Sequence, residues 1–299
     1  MYSHEIDIYF KEKKERSEKM IDYGIWRGVH SDDLGSWLKN FTSDEERFFA
    51  ACILDWLVYR NDEHVVSMLY DLLTKHLHNQ WRLDGNPLYN EEINPLIMAR
   101  SKWNDPGFRY VTAVTKKDKD TKSGYHIARY LNQKLEVSTN WNIKSTEIDV
   151  AYQNGIKTFL FADDIIGTGE QMNNVLCEAG VGNYSDVFVY VAVCAAHEEG
   201  IRTIHKSFPF VRILYAELIP KDSSVFIQFP TAEMGFENAE ALKSWYINFM
   251  RKNGVDEAKS LGRGDLGLVY AFESNVPNDS LPLLYYENDK LKRLMQKRG

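Results

Sequence analysis

Hydrophobic residues recur at helical spacing through the first third of the chain. After Ser43 the apolar positions are three and four residues apart, which predicts a helix with one buried face: Phe49, Ile53, Trp56 and Leu57. The sequence Ser43-Asp44-Glu45-Glu46 has the form of a capping box, in which a hydroxyl and a carboxylate satisfy backbone amides at a helix start. Further helices are predicted after Ser31 and after Asn61. Residues 1–100 are therefore expected to form a helical N-terminal region without chemistry of its own.

A different pattern begins after Pro95. Apolar, β-branched and aromatic segments predict strands at residues 108–115, 158–162, 186–196 and 211–218. Helical patterns follow the first three, at residues 125–135, 170–179 and 197–206. Strands that alternate with helices, with the middle strands apolar throughout, indicate a parallel sheet covered by helices on both faces. The predicted fold class is therefore α/β, with the core in residues 101–299.

The same region is expected to end in a C-terminal elaboration. A helix is predicted at residues 237–252 and a possible strand at 267–272. A turn rich in Pro and Asn follows at residues 275–282. The basic residues 290–298 are expected to fray or to form a short helix.

Composition and charge narrow the class of protein. The 299 residues are 44% hydrophobic and 26% charged, which excludes a disordered or fibrous chain. No apolar run reaches the ~18 residues of a membrane span, and charges interrupt the N terminus where a signal sequence would be apolar. The 43 acidic residues against 36 basic ones disfavour a surface that coats nucleic acid broadly. Three cysteines without metal or redox spacing, Cys52, Cys177 and Cys194, indicate a cytoplasmic protein.

The segment with the clearest chemistry is residues 158–171, with the sequence TFLFADDIIGTGEQ. A predicted strand ends in two carboxylates, Asp163 and Asp164. A loop with Gly167, Thr168 and Gly169 comes next and leads into a predicted helix. In open α/β sheets, ligands bind outside the carboxyl ends of the strands. Glycines admit a ligand close to the backbone, and amides at a helix start form an anion site.

Carboxylates beside an anion site fit a sugar phosphate. The amides would hold the phosphate, and the carboxylates would accept hydrogen bonds from vicinal hydroxyls. A 5-phosphorylated ribose has both features. A nucleoside triphosphate loop of the G-x-x-x-x-G-K type fits less well, because no Lys follows the glycines here.

The sequence FLFADDIIGTGEQ resembles the phosphoribosyl diphosphate motif of type I phosphoribosyltransferases. The resemblance implies that Asp163 and Asp164 are catalytic residues that contact the ribose hydroxyls. It also implies that the loop binds the 5-phosphate through Gly167, Thr168, Gly169, Glu170 and Gln171. Two positions depart from the family pattern. Gln171 stands where Thr or Ser usually supplies a hydroxyl, and Glu170 adds a negative charge, so both count against ordinary turnover.

A lysine-rich loop at residues 116–124 follows the first predicted core strand. In the resembled family this position binds the pyrophosphate. The resemblance thus implies that Lys122, Ser123 and the amide of Gly124 stabilise a leaving diphosphate, with Mg²⁺ bridging the diphosphate oxygens. It also implies transfer at the ribose anomeric carbon through an oxocarbenium-like state. A solvated turn of alternating Lys and Asp is the alternative interpretation.

A wider resemblance covers most of the chain. The chain resembles phosphoribosyltransferase-like conflict effectors, some associated with bacterial anti-phage retron or related systems. The resemblance is carried by these residues: Trp26, Asp32, Trp37, Leu38, Phe41, Thr121, Lys122, Ser123, Gly124, Arg129 and residues 276–282. The resemblance implies a toxin in anti-phage defence. It also implies partner components, such as a reverse transcriptase with its RNA or DNA.

Three functions stay open at this point. The first is an enzyme that binds phosphoribosyl diphosphate and transfers or hydrolyses at the anomeric carbon. The second is a non-catalytic sensor that reads a nucleotide in the same pocket and signals to a partner, a function that Glu170 and Gln171 favour. The third is an assembly module of a nucleic-acid complex. Cys194 and His197 either face the pocket for the base or are structural, Cys194 as a small buried hydrophobe.

Overall fold

The structure, a computed structural model, describes residues 3–118 and 122–297. Three residues of the lysine-rich loop, Lys119, Asp120 and Thr121, lie outside the described residues, as does Arg298 in the basic C-terminal segment. The chain divides into two compact units. Unit 1 comprises Met1–Asp62 and Asp222–Gly299, and unit 2 comprises Glu63–Lys221.

The helices and strands are as follows in chain order. The helices are α1 Ser3–Asp22, α2 Ser31–Leu38, α3 Asp44–Trp56, α4 Asp62–Asp71, α5 Leu77–Leu83, α6 Pro95–Arg100, α7 Ser123–Gln133, α8 Ile148–Gln153, α9 Glu170–Glu178, α10 Glu198–Ser207, α11 Val225–Gln228 and α12 Ala239–Lys252. A π-helical turn, Leu72–His76, joins α4 to α5. The strands are β1 Val58–Arg60, β2 Phe108–Thr112, β3 Asn142–Lys144, β4 Thr158–Ile166, β5 Phe188–His197, β6 Arg212–Ile219 and β7 Tyr270–Phe272. Short 3₁₀ turns are Thr139–Trp141, Ser145–Glu147, Val181–Asn183, Lys221–Ser223, Thr231–Met234, Glu257–Lys259, Arg263–Asp265 and Pro282–Leu284.

Unit 2 is built on a five-stranded sheet in the order β3-β2-β4-β5-β6, and every neighbouring pair is parallel. On one face, apolar side chains of β2, β4 and β5 form a core with α8, α9 and α10. Side chains alternate along a strand, so Tyr190 of β5 points to the other face. There Trp81 of α5 packs against Tyr190 and Phe108, with ring centroids 6.5 and 5.3 Å away. The predicted α/β class, with a parallel sheet flanked by helices and a helical N-terminal segment, is confirmed.

The strand β4 extends beyond the predicted residues 158–162. It continues to Ile166 because β5 still pairs with it there, with Asp163 opposite Val193 and Ile166 opposite Ala196. Its other neighbour, β2, ends at Thr112 opposite Ala162, three residues before the predicted end. Asp163 and Asp164 therefore lie within the strand, in a stretch that has β5 on one side and no β2 on the other.

Sheet order gives unit 2 a topological switch point between β2 and β4. From β2 the chain goes on to β3 at one edge of the sheet, whereas from β4 it goes on to β5 towards the other edge. The segments that leave the carboxyl ends of these two neighbours diverge, and the crevice between such segments is where open α/β sheets bind ligands. The residues after β2 and at the end of β4 are those that the sequence analysis selected.

Unit 1 joins the two ends of the chain in one core. The N-terminal helices α1, α2 and α3 share it with α11, α12 and the residues up to Met295. The buried indole of Trp37 donates a hydrogen bond to the carbonyl oxygen of Leu283 at 2.8 Å, and the ring of Phe41 stacks on that of Phe249 at 5.7 Å. The predicted capping box is present at α3, because Ser43 Oγ accepts from the amide of Glu46. Strands β1 and β7 form a parallel pair.

These units do not coincide with the predicted regions 1–100 and 101–299. Residues 63–100 belong to the unit with the large sheet, and residues 222–299 belong to the unit with the N-terminal helices. The reason is that hydrophobic periodicity identifies a buried helix face but not the element that buries it. Contacts within each unit do not show whether the unit folds by itself. The predicted domains, residues 1–100 and 101–299, therefore stay a prediction.

Nowhere in residues 3–118 and 122–297 does the chain form a helix with the length and apolar character needed to cross a membrane.

Candidate functional site

The carboxylate of Asp163 is the centre of a hydrogen-bonded cluster at the switch point. Its side chain is buried, and its Oδ1 accepts from Ser123 Oγ at 2.6 Å and from the amide of Asp164 at 2.9 Å. Its Oδ2 accepts from Gln171 Nε2 at 3.0 Å. Ser123 is the first residue of α7 and Gln171 the second of α9. The cluster thus joins the segment after β2 to the segment after β4.

Lys122 extends the cluster through Gln171. The ammonium of Lys122 donates to Gln171 Oε1 at 3.2 Å and lies 3.6 Å from Asp118 Oδ1. Asp118 Oδ2 in turn accepts from the amide and the hydroxyl of Thr115, at 2.8 and 2.9 Å. Burial alone would raise the pKa of Asp118, but these hydrogen bonds and the charge of Lys122 outweigh it and lower the pKa. Asp118 is therefore the charged partner of Lys122.

The glycine loop between β4 and α9 is held by one tight backbone contact. Gly169 precedes α9 with a φ of +82°, a conformation that favours glycine. A Cβ atom on Gly169 would lie 2.6 Å from the carbonyl oxygen of Gly200, and one on Gly200 would overlap the carbonyl oxygen of Gly167. Gly167 and Gly169 are buried by this packing, whereas Thr168 is half-buried and Glu170 exposed. The loop therefore has one side fixed against the start of α10 and one side towards solvent.

Gly124 brings α7 against the end of β2. A Cβ atom at this position would lie 2.7 Å from the carbonyl oxygen of Ala113 and 3.0 Å from Val114 Cγ1. This close approach of helix and loop sets where Lys122 and Ser123 begin the helix. In the same loop, the amide of Lys116 donates to the carboxylate of Glu178, at 3.0 and 3.2 Å to its two oxygens.

The two aspartates differ from ordinary carboxylates in their electrostatics. Burial raises the pKa of Asp163, although hydrogen bonds from Ser123, Asp164 and Gln171 oppose the rise. The pKa of Asp164 is raised further, by its burial and by the charge of Asp163 beside it. A pair of this kind favours one proton between its members. A bound cation or a hydroxyl donor would compensate the second negative charge.

Two further residues near the aspartates, Tyr110 and Asp118, were missed from the sequence, whereas Cys194 was named there. The buried hydroxyl of Tyr110 has no hydrogen-bond partner among the described residues, and its pKa is raised by burial and by Asp163. The thiol of Cys194 is buried, and burial, then Asp164 and Asp163, raise its pKa well above the usual value. For Tyr110 the available signal was a phenol hydroxyl within a predicted strand. Asp118 gave none, because its Lys/Asp surroundings resemble any exposed turn.

His197 has a structural contact at the end of β5. Its Nδ1 accepts from the amide of Glu199 at 3.1 Å and so caps α10. Burial lowers its pKa, which keeps the ring neutral and able to accept that hydrogen bond.

The described residues contain no group of three or more His, Cys, Asp and Glu side chains that could hold a metal ion. Asp163 and Asp164 are two adjacent carboxylates. Mg²⁺ is commonly held by one or two carboxylates together with the phosphates of a substrate, so this pair fits that mode of binding and not a cage made of protein groups alone.

Comparison with known proteins gives one family match. The sequence profile of the PRTase-CE family matches residues 34–297. Among solved structures, the AQ2163 protein from Aquifex aeolicus is similar at 13% identity and a TM-score of 0.31, covering 63% of this chain and 83% of that one. A TM-score of 0.31 is too low to indicate a shared fold or a shared function. No curated protein matches the chain.

The contact between the glycine loop and α10 predicts that a methyl group added at Gly200 destabilises the protein, whereas one added at Gly35 does not. We expect Gly200→Ala to destabilise unit 2 by about 1–3 kcal/mol, because the new Cβ atom meets the backbone of Gly167 and must push the loop away. The matched control is Gly35→Ala in α2, where a Cβ atom meets nothing within 4 Å and helix propensity gains up to about 1 kcal/mol. Urea unfolding followed by circular dichroism measures both. A Gly200→Ala protein as stable as the wild type would contradict the contact.

The aspartate pair predicts that removing one charge stabilises the protein. The folded-state pKa of Asp164 lies above the unfolded value of about 3.9. Its favourable contribution is therefore present at low pH and is lost as the pH rises through the folded-state pKa. We expect Asp164→Asn to raise the Tm at pH 7.5, with a difference from the wild type that shrinks as the pH falls towards 4. The exposed Asp289→Asn is the control, expected to leave the Tm unchanged, and a lower Tm for Asp164→Asn at every pH contradicts the prediction.

Proposed function

Because the chain belongs to the PRTase-CE family of phosphoribosyltransferase-like effectors, we propose that the cluster at the switch point binds phosphoribosyl diphosphate and acts at the anomeric carbon of its ribose. One observation carries the proposal. Asp163 in β4 is hydrogen-bonded to Ser123, which follows β2, so an acidic pair and a Lys-Ser segment from two diverging loops meet at one place. Such a meeting supplies acceptors for a diol and donors for phosphates within a few ångströms.

In this proposal, different protein groups bind the ribose hydroxyls, the 5-phosphate and the diphosphate of the ligand. The buried carboxylates of Asp163 and Asp164 accept hydrogen bonds from the 2- and 3-hydroxyl groups of the ribose. The 5-phosphate lies at the solvent side of the glycine loop, where the first amides of α9 have no earlier helical carbonyl to bond. The hydroxyl of Thr168 adds a donor. Lys122 and Ser123 face the diphosphate.

The reaction moves an electron pair but needs no protein nucleophile. The bond between the anomeric carbon and the diphosphate oxygen breaks, and its electron pair leaves with the diphosphate. The acceptor, a nitrogen of a base or the oxygen of water, forms the new bond and then loses its proton. The negative Asp163–Asp164 pair stabilises the positive charge that develops on the ribose, and Lys122 stabilises the charge on the leaving diphosphate.

The proposal includes a Mg²⁺ ion, which would bind mainly through the diphosphate. When bound, it would neutralise charge on the diphosphate oxygens. Asp163 and Asp164 are the side chains that would approach it, since adjacent carboxylates with raised pKa values gain from a nearby cation.

Ligand binding would have to rearrange the cluster. In the structure Lys122 donates to Gln171, and Gln171 donates to Asp163. The ammonium of Lys122 would exchange Gln171 and Asp118 for diphosphate oxygens. Ribose hydroxyls would compete with Ser123 and Gln171 for the oxygens of Asp163. Affinity is therefore reduced by the cost of breaking these internal hydrogen bonds.

The same observation favours a second candidate function, a nucleotide sensor. A carboxylate whose two oxygens already accept from protein groups is a stable resting state, and Gln171 supplies a neutral amide where a phosphate-binding hydroxyl would serve turnover. A sensor would bind the nucleotide, break the link between Lys122 and Gln171 and signal the change to a partner without chemistry. We rank it second, because the negative charge of the Asp163–Asp164 pair would also stabilise positive charge at the anomeric carbon, which a site for binding alone does not need.

We propose anti-phage defence in the bacterial cytoplasm as the setting, with the chain as a toxin that partner components hold inactive. A reverse transcriptase with its RNA or DNA is the partner that the sequence resemblance suggests. The support is the match to a family of effectors.

The decisive assay is pyrophosphate release from phosphoribosyl diphosphate with Mg²⁺, with and without nucleobases. We expect the wild-type protein to release pyrophosphate and Asp164→Asn to lower the rate about 10²-fold or more, since a buried charge at the reacting centre is lost. Asp289→Asn, which removes an exposed carboxylate, should keep the wild-type rate.

The other outcomes of this assay separate the candidate functions. Binding of phosphoribosyl diphosphate by calorimetry without any release supports the sensor. No binding of phosphoribosyl diphosphate or of any nucleotide at millimolar concentration rejects both and leaves an assembly module.

Expression in bacteria tests the proposed setting. We expect the wild-type chain, produced alone, to arrest growth, and Asp164→Asn to be tolerated at equal protein level because it lacks the activity. Co-production of the products of neighbouring genes should relieve the arrest. Equal growth with both proteins would reject the toxin, and a neighbouring reverse transcriptase gene would identify the type of system.

A further inference from the structure

Unit 1 contains a groove that the proposed function does not use. It lies between α1, α3 and the segment after α11, and its volume is about 670 Å³, within the range of small-ligand sites, which is roughly 300–1,000 Å³. Its lining consists of three aromatic rings, one proline, one thiol and two carboxylates: Tyr9, Phe48, Trp56, Pro230, Cys52, Glu5 and Glu233.

The aromatic walls of the groove are fixed by the core behind them. The rings of Tyr9 and Phe48 have centroids 5.4 Å apart. Phe229, which is buried, packs edge-on against Phe48 at 5.5 Å and against Trp56 at 6.5 Å. Rings held in this way lose little side-chain freedom when a ligand binds, which favours affinity.

Burial favours the neutral forms of two polar groups of the lining, the hydroxyl of Tyr9 and the thiol of Cys52. Tyr9 donates its hydroxyl proton to Asp55 Oδ2 at 3.1 Å, and burial is the first cause of its raised pKa. Burial raises the pKa of the Cys52 thiol to about 12. A neutral thiol is a poor nucleophile.

The lining contains two carboxylates and no basic side chain: Glu5 and Glu233, both exposed. A cation lies beside it, because the ammonium of Lys13 is 4.9 Å from the centroid of the Tyr9 ring. The neighbouring Asp55 is paired with Lys13 at 3.2 Å and Arg16 at 2.5 Å, and Lys13 also meets Glu12 at 3.1 Å, so those four groups balance. Glu5 and Glu233 take part in further contacts of their own. A carboxylate has about four acceptor positions, so an existing contact leaves room for a ligand donor.

We propose that this groove binds an organic cation, an alkylammonium or guanidinium group carried on an aliphatic chain. Aromatic faces attract a cation through the ring quadrupole, and the two carboxylates add attraction of the same sign. The volume greatly exceeds that of one ammonium group. The apolar surface of Phe48 and Pro230 is suited to the methylenes of the chain. A free polyamine and the side chain of a basic peptide share this chemistry.

The test is calorimetric titration of the full chain with three probes at low salt. Spermidine represents the polyamine, N-acetyl-arginine amide represents the peptide side chain, and N-acetyl-citrulline amide is the neutral isostere of the second. We expect a cationic probe to bind at least about 5-fold more tightly than the citrulline compound, an effect of the size that cation–π attraction gives. Added salt should weaken the binding of the cation.

Variants of the lining residues test whether the cation binds in this groove. We expect Glu5→Gln and Glu233→Gln each to weaken cation binding about 2- to 5-fold, and Trp56→Ala to weaken it more than Trp56→Phe does, because phenylalanine keeps an aromatic face. Glu18→Gln is the matched control, since Glu18 is on the same helix α1, pairs with Lys14 and lies outside the lining. It should bind as the wild type does.

The outcomes decide the proposal in either direction. Tighter binding of spermidine supports the polyamine as the source, and tighter binding of the arginine amide supports a basic peptide. Equal binding of all three probes overturns the proposal, because the groove is then an apolar surface without charge selection. Failure of both cations to bind at 10 mM (roughly a 3 kcal/mol limit), or equal weakening by Glu18→Gln and Glu233→Gln, overturns it as well.

Discussion

Burial of two adjacent carboxylates at the end of β4 is the constraint on which the candidate site depends. Removal of a charge from water is costly unless hydrogen bonds replace the lost solvation. Here Ser123, Gln171 and the amide of Asp164 provide that replacement for Asp163. Each comes from a different segment, so the stability of the buried acid requires the starts of α7 and α9 to lie beside β4. The geometry of the site and the stability of unit 2 are therefore coupled.

That coupling bears on the proposed function. Groups that satisfy Asp163 without a ligand are the groups that a ligand would have to displace or recruit, so in the proposal a single set of hydrogen bonds governs both the resting state and binding. Gln171 is central because its amide donates to Asp163 while its oxygen accepts from Lys122. An enzyme would use Lys122 once Gln171 had released it, whereas a sensor would use the release as its signal.

The two proposed sites differ in their chemistry. In unit 2, directed hydrogen bonds join the hydroxyl of Ser123, the amide of Gln171 and, through that amide, the ammonium of Lys122 to the buried acid Asp163. In unit 1, aromatic rings and two glutamates line a groove, and Phe229 packs against two of the rings.

The sequence by itself determined what depends on neighbours along the chain. The α/β class, the capping box at Ser43 and the order of strand, acids, glycine loop and helix in residues 158–171 are local patterns, and local backbone geometry follows them. Only the tertiary structure decided that β4 continues to Ile166, that Gly200 fixes the loop, that Gln171 joins Lys122 to Asp163 and that residues 222–299 complete the core of the N-terminal helices. Those features are contacts between residues far apart in the chain, and periodicity shows that a face is buried without showing what buries it.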